Sequence, residues 1–305
     1  MHSIQKFIED NEIKVKKYTI KGKVLIAKTD HGCYVFKDKI RNFKDNKDIY
    51  DYLDSRSFNY YPKILSDNKE FVQTEYIPDK NYPKDQKIQD IMELVSLLHS
   101  KTTHYKEIDL DDYKRIYEDI KNNVSYLTSY YNDYMNIIDS HVIMSPSEYL
   151  LARNISIIFE MLYFCDQEID EWYDLIKGQR KVRQTIIHNN LRLEHFRRNT
   201  KSYLISWDKA KIDIPIFDIY KFYRRYSLNY DFSYLLKKYE KNYPLQDSEK
   251  LLLFTLISLP KKLEFSNNEY KNSVLFAGEI DYLYKTRDLV LPQYHKQTKK
   301  ENTHK

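Results

Sequence analysis

Apolar positions recur at short spacing early in the chain and at three- and four-residue spacing later, which predicts strands first and helices after. KVLIAKTD (23–30) and CYVFK (33–37) read as two strands joined by Asp30-His31-Gly32, where Gly32 supplies the positive φ that a tight turn needs. A helix is expected from a cap at Asn46 through Tyr52 and Leu53. YYPKILSD (60–67) and KEFVQTEYIP (69–78) read as two more strands around a polar turn. Pro78 and Pro83 close this region, and 79–85 is a polar crossover.

Beyond it the period changes. Ile88, Ile91, Met92, Val95 and Leu98 mark one amphipathic helix, and a polar helix is expected over 111–130. SPSEYLLARNISIIFEMLYF (145–164) predicts a long helix, opened by Ser145, Pro146 and a Glu148 that completes a capping box. RQTIIHNN (183–190) and SYLISWDK (202–209) are short apolar runs, strand-like or buried connectors. Further helices are expected over 217–226, 232–239 and 249–259, and the polar, unpatterned 293–305 is expected to be a disordered tail. The pattern predicts an α+β chain with a β-rich part over 1–80 and a helical part over 81–292.

Composition narrows the chemistry. Among 305 residues there are four glycines, Gly22, Gly32, Gly178 and Gly278, so no GxGxxG or Walker-type phosphate loop can be written. Two cysteines, Cys33 and Cys165, cannot build a disulfide framework or a thiolate metal site alone. A formal charge of +5, spread evenly, argues against a nucleic-acid partner. The N-terminus interleaves acids and bases and is not a signal peptide, and no apolar run approaches 18 residues. A cytoplasmic protein with no membrane partner is expected. The 30 tyrosines fit the codon bias of an AT-rich genome.

The segment IIHNNLRLEHFRRNTKSYLISWDKAKIDIPIFDIYKFYRRY (186–226) resembles the catalytic half of the protein-kinase-like small-molecule phosphotransferases. That group holds the aminoglycoside phosphotransferases, the choline kinases and the spore-coat kinase-like proteins. Its pattern runs His-Gly/Asn-Asp, four residues, Asn, then a strand Ile-Asp-Phe/Trp-Asp/Glu, then an aspartate opening a helix. Upstream, GCYVFK looks like the strand that carries the nucleotide-binding lysine, making Lys37 the candidate with Val35 beside it in the pocket roof. TEYIPDKN looks like the hinge, placing Glu75, Tyr76 and Ile77 against a nucleotide, and QDIMELVSLLHSKT is similar to the first helix of the large lobe. The resemblance covers most of the chain and implies a two-lobed kinase-like fold.

At the working positions the chain departs from the pattern. Where the family's aspartate takes the proton of the attacking hydroxyl stands Asn190, and an amide accepts no proton at neutral pH. Where an asparagine ligates the second magnesium stands His195, a poor donor for a hard cation, and the principal metal ligand is replaced by Ser206. His188, which braces the loop in the family, and Asp218, which ties it, are retained. Asp208 falls two residues beyond Ser206, where choline kinases carry a second acid, so it could hold a metal that Ser206 cannot. The helix after Lys37 offers only Asp48 and Asp51 as partners for that lysine, each a methylene shorter than the family's glutamate.

The expectation is a pseudokinase of the aminoglycoside phosphotransferase type with a binding or scaffolding role. It would take ATP or another nucleotide, with magnesium held weakly if at all, and would engage a protein partner. An active small-molecule kinase using Asp208 and Glu194 is one alternative; a structural, spore-associated coat protein is another. On the residues alone, His188 reads as a core histidine and His195 as a surface one, since no third metal ligand accompanies them. Trp207 reads as packing, and Arg197, Arg198 and Lys201 as a solvated turn.

Overall fold

The computed structural model describes residues 14–21, 24–38, 47–67, 71–80 and 82–301, with side chains as far as Leu291. The expected cap at Asn46 lies outside the described residues. The chain divides into two compact units, each made of two segments: residues 1–102 with 186–212, and residues 103–185 with 213–305.

The first unit carries an antiparallel sheet of β1 (Val15–Lys21), β2 (Val24–Thr29), β3 (Gly32–Asp38), β4 (Ile64–Asp67) and β5 (Phe71–Glu75), in the order β1-β2-β3-β5-β4. The β2–β3 hairpin closes as the turn residues require. Gly32 adopts φ 142°, and Thr29 Oγ1 donates to the Gly32 carbonyl at 3.0 Å while accepting the His31 N–H at 3.2 Å. β1 has no counterpart among the expected strands. It is an edge strand with mostly exposed, Lys-rich side chains, so it shows no apolar alternation to read. The strand expected over 60–67 shortens to β4 because Pro62 has no N–H to give a ladder.

Register sorts the sheet into two faces. Val24 pairs with Lys37, Ile26 with Val35, Val35 with Thr74 and Lys37 with Val72, so these six side chains share one face. On the other face Leu25, Ala27, Phe36 and Phe71 form a buried cluster, with the Phe36 and Phe71 rings edge-to-face at 5.9 Å. The same unit holds α1 (Lys47–Ser55), α2 (Lys84–Thr102) and the hairpin of β8 (Phe196–Arg198) and β9 (Ser202–Leu204). On α2, Ile88, Ile91, Met92, Val95 and Leu98 are all buried, as the spacing predicts.

The second unit is mainly helical. It contains β6 (His104–Glu107), which pairs antiparallel with the start of β7 (Lys181–Ile187), and α3 (Leu110–Asp139), α4 (Pro146–Lys177), α5 (Ile216–Tyr226), α6 (Phe232–Asn242), α7 (Asp247–Ser258) and α8 (Glu269–Glu301). A three-residue strand, β10 (Lys211–Asp213), lies where the chain passes from the first unit to the second. The α4 capping box forms: Ser145 Oγ accepts from Glu148 N–H, and the Glu148 carboxylate accepts the Ser145 N–H at 2.8 Å. α4 packs against α3, α7 and α8. Arg224 is paired inside this core: its guanidinium donates to the Leu259 carbonyl at 2.6 Å and to Glu279 at 3.1 Å, and lies 4.3 Å from the Tyr282 ring centroid.

α8 is the largest element absent from the sequence expectation. Its backbone runs on through Glu301, over most of the stretch expected to be disordered; 302–305 lie outside the described residues. Asn268 opens it, its side-chain oxygen accepting the Lys271 N–H at 2.9 Å, and Phe276, Ile280, Leu283 and Val290 are buried along one stripe.

Candidate functional site

The apolar face of the sheet, the end of β5 and the segment 194–208 enclose a cavity of about 390 Å³, all of it within the first unit. That volume falls within the range of about 300–1,000 Å³ usual for small-ligand pockets. Val24, Ile26, Val35, Val72 and Thr74 form one wall, with Glu75, Tyr76 and Ile77 following along it. Tyr76 N–H donates to the Cys33 carbonyl at 3.0 Å, and the Glu75 carboxylate accepts the Lys63 N–H at 2.9 Å, which fixes this stretch against its neighbours. The wall opposite carries Glu194, His195, Arg197, Ile205, Ser206, Trp207 and Asp208.

Lys37 and Asp208 meet inside this cavity, the ammonium donating to the carboxylate Oδ1, with each side chain 28% exposed. The lysine's partner is therefore neither Asp48 nor Asp51, both exposed on α1. The α1 side chain that reaches the cavity is Tyr50. Burial holds its hydroxyl well above the usual phenol range, and the nearby Asp208 and Asp67 charges push it the same way.

Two backbone strands of hydrogen bonds hold the segments 188–195 and 204–209 together. His188 is fully buried, donates from Nε2 to the Ile205 carbonyl at 2.9 Å, and lies edge-on to Trp207 at 4.9 Å. Asn189 takes φ 60°, a left-handed conformation asparagine tolerates, and its amide donates to the Lys209 carbonyl at 2.9 Å. Ile205 N–H donates to the His195 carbonyl at 2.8 Å. Trp207 is 2% exposed, with its indole N–H on the Leu204 carbonyl at 2.7 Å, and packs as expected while one edge lines the cavity.

His195 corrects the expectation of a surface residue. It is half-buried, and its Nδ1 donates to the Asn190 carbonyl at 2.7 Å. Burial lowers its pKa, with Arg192 adding to that effect; the Asn190 hydrogen bond and the Glu194 and Asp208 charges oppose it without prevailing. The ring is neutral at neutral pH. Ser206 sits at φ 66°, ψ 56°, a left-handed conformation that costs an L-residue roughly 1–2 kcal/mol. Asn190 is half-buried but does not line the cavity. Asp218 belongs to the second unit, buried in the first turn of α5.

The basic cluster is a clamp, not a solvated turn. Asp79 receives Lys87 Nζ at 2.8 Å, the Arg198 N–H at 3.0 Å and the Arg197 guanidinium at 3.3 Å. Burial works against the Asp79 charge, but these hydrogen bonds and the Lys87 and Arg197 charges outweigh it and hold the carboxyl below its usual range. Arg198 also bonds Asp90 at 2.9 Å, and Lys201 donates to the Asn59 carbonyl. The spacing of alternating acids and arginines gives no hint of these pairings, which join residues over a hundred positions apart.

These side chains do not make a magnesium site. Magnesium takes oxygen ligands in a near-octahedral set, with carboxylates supplying the charge. Here Ser206 presents a hydroxyl and His195 an imidazole to the cavity, and Asp208 is already bonded by Lys37. No group of three or more His, Cys, Asp or Glu side chains that could hold a metal ion occurs among the described residues.

No protein-family model matches the chain, and no curated protein matches its sequence. Its structure is similar to that of an aminoglycoside phosphotransferase from Alicyclobacillus acidocaldarius, at 10% identity and TM-score 0.59, over 90% of this chain and 92% of that one. It is also similar to a spectinomycin phosphotransferase in an AMP-bound complex, at 11% identity and TM-score 0.53, over 92% and 97% of the two chains. Likeness at such identities establishes the fold: this chain has the kinase-like α+β fold of the aminoglycoside phosphotransferases. No described helix is long and apolar enough to cross a membrane.

Proposed function

We propose that this chain is a kinase-like binding protein whose cavity takes a nucleotide-type ligand and which no longer transfers phosphate. The observation that carries this reading is the Lys37–Asp208 pair, set in a cavity that Ser206 and His195 also line; the motif resemblance assigns those two to the metal-ligand positions and Asn190, outside the cavity lining, to that of the base. Losing a general base costs about 10²–10⁴ in rate, which alone would leave a slow enzyme. Phosphoryl transfer relies mainly on positioned positive charge, and here both metal ligands are gone as well. The apolar sheet wall and the stretch from Glu75 to Ile77 remain as a surface for a flat heterocycle. The AMP-bound complex of the spectinomycin phosphotransferase supports the same ligand class.

One observation favours a second reading. Asp208 lines the cavity beside Lys37, where an acid could hold a cation against a phosphate, so a slow kinase built on Asp208 is the competitor. Multiple-turnover assays with ATP, magnesium and a panel of hydroxylated acceptors separate the two. The binding-protein reading expects no release of ADP above background. Turnover that disappears on Asp208→Ala would establish the competitor. The triple variant Asn190→Asp, His195→Asn, Ser206→Asp is expected to gain magnesium-dependent nucleotide binding; no gain in a folded triple variant refutes the positional assignments.

A further inference from the structure

We infer that the cavity selects an uncharged ligand of the nucleoside class over nucleoside polyphosphates, an inference that rests on the nucleotide-type reading above. Among the described residues two fixed cations, Lys37 and Arg197, line the cavity, and both are already engaged: Lys37 by Asp208, and Arg197 by Asp79 at 3.3 Å. An entering phosphate must take one of them from a carboxylate. If it takes Lys37, the displaced Asp208 charge stays within a few ångströms of the phosphate.

Four lining carboxylates, those of Asp67, Glu75, Glu194 and Asp208, outnumber the two cations among the described residues. Register supports the placement of Asp67, which pairs with Val72 on the cavity face of the sheet. A kinase resolves the same conflict with bound divalent cations. The side chains here do not form the oxygen-rich set that such a cation needs. Most of the remaining lining is aliphatic and aromatic, with Tyr50, Tyr76 and Trp207 offering ring surface and the tyrosines, Thr74 and Ser206 offering hydroxyls. Such a surface is complementary to a base and a ribose, not to a chain of phosphates.

The test measures dissociation constants of the full chain for adenosine, AMP, ADP and ATP, first with a chelator and then with magnesium. Adenosine is expected to bind at least about tenfold more tightly than ATP without metal, because each added phosphate meets an engaged cation and a carboxylate. Magnesium is expected to change the ATP constant by less than about twofold, in keeping with the missing ligand set. Asp208→Asn frees Lys37 and is expected to tighten metal-free ADP relative to adenosine by about tenfold. The adenosine arm also shows that the variant is folded, and the exposed Glu194→Gln gives a second, milder gain for ADP if it is not. Metal-free ATP binding as tightly as adenosine, or a large gain on adding magnesium, overturns the inference. If ATP binds tightest with no turnover, the selectivity fails while the binding-protein reading stands. If none of the four binds, both fail.

Discussion

The Lys37–Asp208 pair can be weighed directly by a double-mutant cycle of Lys37→Met, Asp208→Asn and the combination. At contact distance and an effective dielectric of about 20, two unit charges attract by roughly 5 kcal/mol. Desolvation takes back most of that for a pair held inside a protein. With each side chain 28% exposed, the pair stands between exposed pairs, worth about 0–1 kcal/mol, and fully buried ones, whose single-sided loss costs about 3–5 kcal/mol. A coupling energy of about 1–2 kcal/mol is therefore expected, each single change costing more than its share of the double. Urea unfolding gives the four stabilities. The chain's two tryptophans help, because Trp207 belongs to the first unit and Trp172 to the second, so Trp172→Phe leaves a fluorescence reporter on the unit that carries the pair. One molar salt should weaken the coupling only in part, because screening acts less on a partly buried pair. Stabilities that add to within about 0.3 kcal/mol would remove the pair as an organising contact of the cavity.

Two further outcomes follow from single residues. Ser206→Gly is expected to stabilise the chain by about 0.5–1 kcal/mol, since glycine escapes the left-handed cost and returns part of it as unfolded-chain entropy; a denaturation midpoint below wild type contradicts the strain. Glu168 on α4 is 2% exposed, has an Oε1 with no hydrogen-bond partner among the described residues, and is pushed by burial, with Glu171 adding to it, up to about 7. A folded-state pKa above the unfolded one favours folding at low pH, and that advantage is lost as pH rises from about 4.5 through 7. Glu168→Gln should accordingly match wild type near pH 5 and exceed it by on the order of 2–3 kcal/mol at pH 8; a gap that does not change with pH rules this out.

Residues that act through local spacing were legible in the sequence. The capping box at Ser145, the turn at Gly32 and the buried stripe of α2 depend on neighbours within a few positions, and each formed as read. Lys37 and Asp208 could be named because a motif places them, but their mutual contact spans 171 positions and no spacing announces it. Tyr50 was missed for a related reason. A tyrosine among 30 carries no signal of its own, and the search for a lysine partner looked for an acid. Arg197 and Arg198 read as a solvated turn because their partners, Asp79 and Asp90, lie on a distant stretch of chain. β1 left no pattern because an exposed edge strand buries no face, whereas α8 left one in Phe276, Ile280, Leu283 and Val290, a helical spacing that the polar residues between them obscure.

The loops around the cavity are set mainly by bonds that do not use the side chains of Asn190 and Ser206. The bonds that set those loops run from His188 to the Ile205 carbonyl, from Asn189 to the Lys209 carbonyl, from His195 to the Asn190 carbonyl and from the Ile205 N–H to the His195 carbonyl. Each ends on a main-chain oxygen, which every residue type supplies. The acceptor at position 190 is therefore the same whether the side chain is aspartate or asparagine, and Ser206 keeps its left-handed backbone without a carboxylate to justify it. His195 contributes through its ring Nδ1, which makes it a strut for the segment that carries it. On the reading proposed above, chemistry and scaffold are carried by different atoms of the same segment. A chain built this way could shed a base and metal ligands at little cost in stability, leaving the cavity to be selected for what it binds.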